Sequence, residues 1–243
     1  MMPNGAQPQQ KPDATQLSGL LLVDKSAGWT SHDAVQVVRN RLGVRRIGHA
    51  GTLDPAATGL LILLIGPAVL RQTQFQLAPK TYSGVISFGS ATDTWDAAGK
   101  VVSEAPVPEI YKERLDAAIA AFTGEITQLV PPYSAIKFHG EPLHRIARRG
   151  GELPLRMERK VTIYGWEGLD WNPPELAFTV KCASGTYVRS LAHMLGQTFG
   201  CGAHLKTLRR LSIGPYKVED AITSDSIRPL TRAALEPRIL PLP

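Results

Sequence analysis

The sequence predicts an α+β protein built on a mostly antiparallel or mixed central sheet flanked by helices. Three observations carry this expectation. Strand-like segments rarely alternate singly with helical ones, as a doubly wound parallel sheet would require. The stretches 160–169 and 175–182 read as an antiparallel pair. No shift of composition marks a domain boundary, and 243 residues suffice for one large domain or two small ones.

In chain order, residues 1–16 are rich in Gln, Pro and Ala, lack apolar periodicity and read as a disordered leader. Residues 19–25 look like a buried strand. Gly28-Trp29-Thr30-Ser31 then forms a turn in which Thr30 or Ser31 caps a helix carrying Ala34, Val35, Val38 and Leu42. A helix is expected over 67–77, followed by an alternating half-buried strand over 80–89. Leu115, Ile119 and Phe122 recur at helical spacing within 108–122, the clearest amphipathic helix. Pro131-Pro132-Tyr133-Ser134 is a rigid turn, and a short basic helix follows over 141–149. After the strand pair, Gly185-Thr186-Tyr187-Val188-Arg189 leads into a helix ending near Phe199, and 205–213 is strand-like. The Pro-rich stretch 228–243 holds too little apolar material for a second domain.

The segment that invites a functional reading is Gly48-His49-Ala50-Gly51-Thr52-Leu53-Asp54-Pro55-Ala56-Ala57-Thr58-Gly59, which runs into the apolar stretch 60–65. Its glycines permit tight turns and close approaches, so a shaped loop entering a buried strand can present Asp54 to a substrate. Asp followed by Pro is also how a helix begins, with Asp as cap and Pro in the first helical position. The loop alone leaves both readings open.

With 27 Lys and Arg against 21 Asp and Glu, the formal charge of +6 suits a polyanionic partner. Arginines cluster at Arg39, Arg41, Arg45 and Arg46, again at Arg145, Arg148 and Arg149, and Lys206, Arg209 and Arg210 interleave with leucines; these clusters are candidates to hold a phosphate backbone. Two cysteines, Cys182 and Cys201, make no disulfide framework, and without a secretory signal a cytoplasmic location is expected. The longest apolar run falls short of the roughly 20 residues that cross a bilayer, so no membrane association is expected.

Other chemistries lack support. There is no phosphate-binding Gly-x-x-x-x-Gly-Lys loop and no dinucleotide fingerprint after a strand. Histidines and cysteines do not fall at strong metal-ligand spacings, Cys201 and His204 reading as a buried cysteine near a surface histidine rather than a metal pair, and no nucleophile elbow anchors a serine triad. A glycoside hydrolase needs two facing carboxylates, and Asp54 has no evident acidic companion.

Several blocks together give the chain a family likeness: Val23-Asp24-Lys25, Gly28-Trp29-Thr30-Ser31, the loop from Gly48 to Pro55, Lys80-Thr81-Tyr82, Thr92-Asp93-Thr94, Pro132-Tyr133-Ser134-Ala135-Ile136-Lys137, Gly185-Thr186-Tyr187-Val188-Arg189, and Cys201-Gly202-Ala203-His204 with Leu208-Arg209-Arg210-Leu211. In these, over 19–216, the chain closely resembles the TruB family of tRNA pseudouridine synthases. The resemblance implies the pseudouridine synthase fold and isomerisation of the uridine at position 55 in the tRNA T loop. It also implies Asp54 as catalytic aspartate, Arg189 as its ion-pair partner, Tyr82 as the aromatic residue against the uracil, Tyr187 and Leu208 as pocket walls, and His49 as an RNA contact near the flipped base. No metal or organic cofactor and no guide RNA is implied, and a monomer is expected. The domain plan that follows is a leader over 1–17, a catalytic domain over 18–216 and a short tail over 217–243 without a complete PUA-type RNA-binding module.

The residue types suit that chemistry. A carboxylate can act at the sugar as nucleophile or base while the glycosidic bond breaks and a carbon–carbon bond forms. Arginine beside it favours the charged carboxylate, and a base inside a folded RNA loop must be extruded and received on an aromatic face. Ser26 and His144 depart from the family's usual proline and tyrosine. A protein that binds or folds RNA without turnover is the competing class, and a guide-dependent synthase of the dyskerin type is a third reading.

Overall fold

The computed structural model describes residues 17–134, 136–138, 140–149 and 157–243. The expected leader at 1–16 therefore lies outside the described residues, as does the side chain of His144.

The chain opens with strand β1 (Gly19–Lys25) and helix α1 (Ser31–Leu42). Thr30 caps α1: its hydroxyl accepts the Asp33 N–H, and the Asp33 carboxylate accepts the Thr30 N–H at 2.8 Å. Gly43 closes the helix in the left-handed conformation, φ 68°. Strand β2 (Ile47–His49) precedes β3 (Thr58–Ile65). The unbroken apolar run of β3 has a plain cause. Leu61, Leu63 and Ile65 enter one core, under α1, while Leu60, Ile62 and Leu64 enter another on the opposite face. A strand covered on both sides has no polar face to present.

The expected helix over 67–77 is a 3-10 segment, Gly66–Arg71, followed by a short α2 (Gln72–Leu77). Next come β4 (Lys80–Phe88), the hairpin of β5 (Ser90–Thr92) and β6 (Val101–Glu104), helix α3 (Lys112–Ala121), β7 (Gly124–Leu129), a minimal pair of β8 (Lys137–Phe138) with β9 (Glu141–Pro142), and α4 (Leu143–Arg148). Strands β10 (Glu158–Asn172) and β11 (Glu175–Cys182) form the predicted antiparallel pair. Helix α5 (Val188–Phe199) and the long β12 (Ala203–Ile213) complete the framework, before β13 (Tyr216–Lys217), β14 (Ile222–Thr223), α6 (Ser224–Ile227) and α7 (Arg232–Leu235).

One mixed sheet runs in the order β14, β1, β3, β12, β4, β11, β10, β7, with β2 added to β3 and β13 to β12. Among the strands of the described residues, only β1 with β14 and β3 with β12 pair in parallel. The observed class is thus the expected one. Helices α3 and α5 cover the face of β4, β10, β11 and β12 through Leu115, Ile119, Leu191 and Leu195, and Leu53 and Ala57 of the Asp54 loop join that same core.

Residues 217–243 form a strap against the first strand rather than a free tail. Leu20 and Leu240 exchange two backbone hydrogen bonds of 2.8 Å, Leu235 is fully buried, and the Asp225 carboxylate accepts from Ser26 Oγ at 2.5 Å and Trp29 Nε1 at 3.1 Å. Ser26 also donates its N–H to Ser224 Oγ at 3.0 Å, a bond proline could not make.

Candidate active site

The Asp54 loop is tied down on both flanks by the end of β1, the turn after it and the first residue of α1. Ser31 Oγ accepts the Leu53 N–H at 2.9 Å and donates to the Leu53 carbonyl at 3.2 Å. The Pro55 carbonyl accepts from the Gly28 N–H at 2.9 Å and from Lys25 Nζ at 3.2 Å. Ala57 N–H returns to the Asp54 carbonyl at 3.0 Å, so Asp54-Pro55 opens a tight turn and no helix follows. Of the two sequence readings, the shaped loop is the one observed. Its backbone is held while the Asp54 side chain stays 44% exposed.

Arg189 faces that carboxylate from the second residue of α5, and its side chain is only 7% exposed. Nε stands 3.0 Å from Asp54 Oδ2 and 3.7 Å from Asp96 Oδ2. Nη1 donates to the Thr94 carbonyl at 3.0 Å and Nη2 to the Tyr133 carbonyl at 3.1 Å. The planar fork is thereby fixed by three chain segments at once, a task for which the flexible lysine ammonium has no matching geometry. A cation at a helix start opposes the helix dipole, and these partners account for its position.

Lys25 is fully buried, and its ammonium donates to the carbonyls of Trp29 at 2.7 Å, Ser26 at 3.0 Å and Pro55 at 3.2 Å. Burial pushes its pKa down to about 8, with the Asp54 charge pulling partly the other way. Because this lies below the ordinary 10.5 of the unfolded chain, the cost of burying the cation is present in full below pH 8 and is relieved as pH rises to 10.5. The native chain should therefore gain stability relative to Lys25→Met across that window. Urea unfolding at the two pH values measures the difference, and equal slopes would contradict the assignment.

Tyr82 on β4 lies directly across from Arg210 on β12, and Leu208 across from Gly84, so the four share one sheet face. The Tyr82 ring is 8% exposed and packs in the core that includes Leu53, Ala57 and Val180; burial pushes its hydroxyl pKa up. Leu208 is half-buried against the same core. Gly59 is required here: it has φ 102°, and a Cβ would stand 2.3 Å from the Arg210 carbonyl oxygen.

The remaining expected site residues lie at the edges. His49 ends β2, and its Nδ1 is buried with no hydrogen-bond partner among the described residues; burial lowers its pKa. Tyr187 precedes α5, with its backbone locked by the fully buried Gln128 through bonds of 2.7 and 3.2 Å, and it packs against Val130, Leu143 and Ile146. Asp54, Arg189 and the core around Tyr82 and Leu208 are thus assembled in one place. His49 stands on the stem of the same loop, and Tyr187 two residues before Arg189.

Two sequence expectations need correction. Asp54 does have an acidic companion, Asp96, facing the shared arginine; it stands three residues beyond Asp93 in a hairpin whose approach to α5 is a tertiary event. The group Lys206, Arg209 and Arg210 is not a free phosphate-binding set. Arg209 grips both oxygens of Asp24 at 3.0 and 2.7 Å and Lys206 pairs with Glu175. Arg210, 1% exposed, donates to the carbonyls of Leu60 at 2.6 Å and Gly51 at 3.1 Å. Strand alternation turns Arg210 inward, where it braces the Asp54 loop. Arg41, Arg45, Arg46 and Arg145 remain exposed, and Arg149 pairs with Glu141 at 2.8 Å. Reasoning from sequence also missed Lys25, Ser31 and Gln128 as supports, although the first two stand inside blocks that carried the family likeness.

Among the described residues no group of three or more His, Cys, Asp or Glu could hold a metal, and no helix is long and apolar enough to cross a membrane.

The fold matches solved structures closely. The chain superimposes on one from the crystal structure of a Cbf5-Nop10-Gar1 complex with a TM-score of 0.70 at 26% identity, covering 98% of this chain and 64% of that one. A chain from an H/ACA RNP bound to a substrate RNA containing 2'-deoxyuridine gives a TM-score of 0.63 at 26% identity, covering 86% and 52%. The present chain therefore spans between half and two thirds of those solved chains. The mixed sheet with its flanking helices is the pseudouridine synthase fold, and the match of its sequence to a pseudouridylate synthase family makes this an enzyme of the pseudouridine synthase class. Residues 39–188 match the TruB family pseudouridylate synthase N-terminal domain, and 189–242 the tRNA pseudouridylate synthase B C-terminal domain. The chain belongs to the TruB family. A tRNA pseudouridine synthase B from Opitutus terrae is 46% identical over 227 residues, 93% of this chain and 94% of its own length. Another from Geotalea uraniireducens is 44% identical, covering 86% and 67%.

Proposed function

We propose that this chain isomerises uridine to pseudouridine in tRNA, at position 55 of the T loop, as a monomer without guide RNA or cofactor. The observation that carries this reading is the Asp54–Arg189 contact of 3.0 Å at the edge of an apolar core. The reaction breaks the bond from ribose C1' to N1 and forms one from C1' to C5. The hydrogen on C5 leaves as a proton and N1 gains one, so atoms balance without an outside reactant. Asp54 acts at the ribose as nucleophile or base. Arg189 keeps the carboxylate aimed, Tyr82 receives the uracil, Leu208 and Tyr187 wall the pocket, and His49 contacts RNA beside the flipped base. Apolar walls keep water from the detached uracil. Residues 18–216 are the catalytic unit in this reading, and the exposed arginines of α1 and its following turn meet backbone phosphates.

A T-arm stem-loop labelled with tritium at uracil C5 tests the proposal, since isomerisation releases the label. The isolated chain is expected to release one tritium per RNA, all of it from position 55. No release would sink the enzymatic reading and leave an RNA-binding role. Release only on adding guide RNA and partner proteins would favour a synthase of the dyskerin type.

A further inference from the structure

The hairpin between β5 and β6 carries a feature that the catalytic reading leaves unused. Trp95 has φ 63°, alone among the described residues other than glycine in being positive. Side chains rarely adopt that conformation, and it persists where its surroundings hold it. Its ring stacks on His193, with centroids 4.2 Å apart and planes inclined by 6°. His193 stands four residues after Arg189 on α5, one turn further along the same face. That face grips consecutive residues of one segment: Arg189 takes the Thr94 carbonyl and the Asp96 carboxylate, and His193 takes the Trp95 ring between them.

The segment is otherwise fixed so that one oxygen of Asp96 is left for the arginine. Thr94 Oγ1 and the Ala98 N–H donate to Asp96 Oδ1 at 2.6 and 3.0 Å, and Oδ2 faces Arg189. Leu205 of β12 holds the backbone, its N–H donating to the Trp95 carbonyl at 3.0 Å and its carbonyl accepting from Ala97 at 3.0 Å. Among the described residues the His193 Nδ1 is buried without a hydrogen-bond partner, and the ring stacks on Trp95. Burial lowers its pKa.

We propose that the Trp95–His193 stack is a positioning pair. It sets the twist of residues 94–96 so that the Thr94 carbonyl and Asp96 hold Arg189 against Asp54, and it serves turnover rather than RNA affinity. This rests on the reading of Asp54 and Arg189 as the catalytic pair.

Four variants test it by tritium release, RNA binding and thermal unfolding. Trp95→Gly removes the ring while suiting the positive φ, and His193→Ala removes the other ring without touching the hairpin backbone; if one fails to fold, the other decides. Each is expected to lower kcat about tenfold, as a small misalignment of reacting groups does, while KM and RNA affinity stay within about twofold. Trp95→Phe and His193→Phe should restore most of the rate. Folded variants with unchanged kcat would overturn the proposal, and so would a change confined to KM and RNA affinity, which would make the stack an RNA contact. Asp54→Asn run in parallel separates the two levels. If it turns over normally, the catalytic reading fails and takes the positioning pair with it. If it is inactive while His193→Ala matches the native chain, only the positioning pair fails.

Discussion

Asp54→Asn is expected to bind T-arm RNA with native affinity and to lose turnover by more than about 10³-fold, the loss that follows removal of an essential nucleophile or base. The structure makes this substitution clean. The carboxylate takes no part in the backbone bonds that shape its loop; Leu53, Pro55 and the Asp54 carbonyl carry them. Asparagine is nearly isosteric and can still accept from Arg189 Nε, so the fold should hold while the charge is lost. Tritium release from C5-labelled RNA reads the rate, and filter binding reads the affinity. A variant that turned over normally would reduce Asp54 to a turn residue.

Arg189→Lys is the second large effect. A lysine supplies charge but cannot occupy the fork that meets Asp54, Asp96, Thr94 and Tyr133 together. Two carbonyls and two carboxylates are then left to share a point charge or none. Because Asp54 is nearly half exposed, water screens part of the loss, and the stability cost is expected at about 1–3 kcal/mol rather than the larger figure for a wholly buried pair. The rate is expected to fall about 10²-fold or more, since the aspartate loses its fixed direction. Thermal unfolding and single-turnover tritium release measure the two effects separately. A Lys variant with near-native rate would show that charge alone suffices at this position.

Some of the site was legible and some was not, for physical reasons that differ by residue. The loop Gly48 to Asp54 announced itself because a lone carboxylate among glycines precedes a strand too apolar to face water. Arg189 came with the family resemblance, and its place at a helix start, where a cation is unfavourable without a partner, agrees with that role. Asp96 gave no such sign. It is an ordinary acidic residue in a polar hairpin until α5 is laid beside it. Lys25 gave no sign beyond closing the strand expected over 19–25, yet its ammonium is buried and donates to three carbonyls, because the turn at 26–29 folds back over it. Arg210 misled for the opposite reason: basic residues among leucines read as a binding stripe, whereas strand alternation sends Arg209 to Asp24 and Arg210 into the core.

The sequence by itself determined what periodicity and local chemistry control: the α+β class, the helix over α1 with a cap at Thr30 or Ser31, the antiparallel pair of β10 and β11, and the Asp54 loop. Tertiary structure alone decided which distant groups meet. Residues 54, 96, 133 and 189 are far apart along the chain and are joined only because α5 packs across the sheet beside the β5–β6 hairpin. Likewise the strap over 217–243 reads as a short tail in one dimension, and it is joined to the sheet when β14 finds the free edge of β1. Local pattern encodes the direction a side chain faces within its own element. The partner it finds depends on how elements are packed, and that information is spread over the whole core.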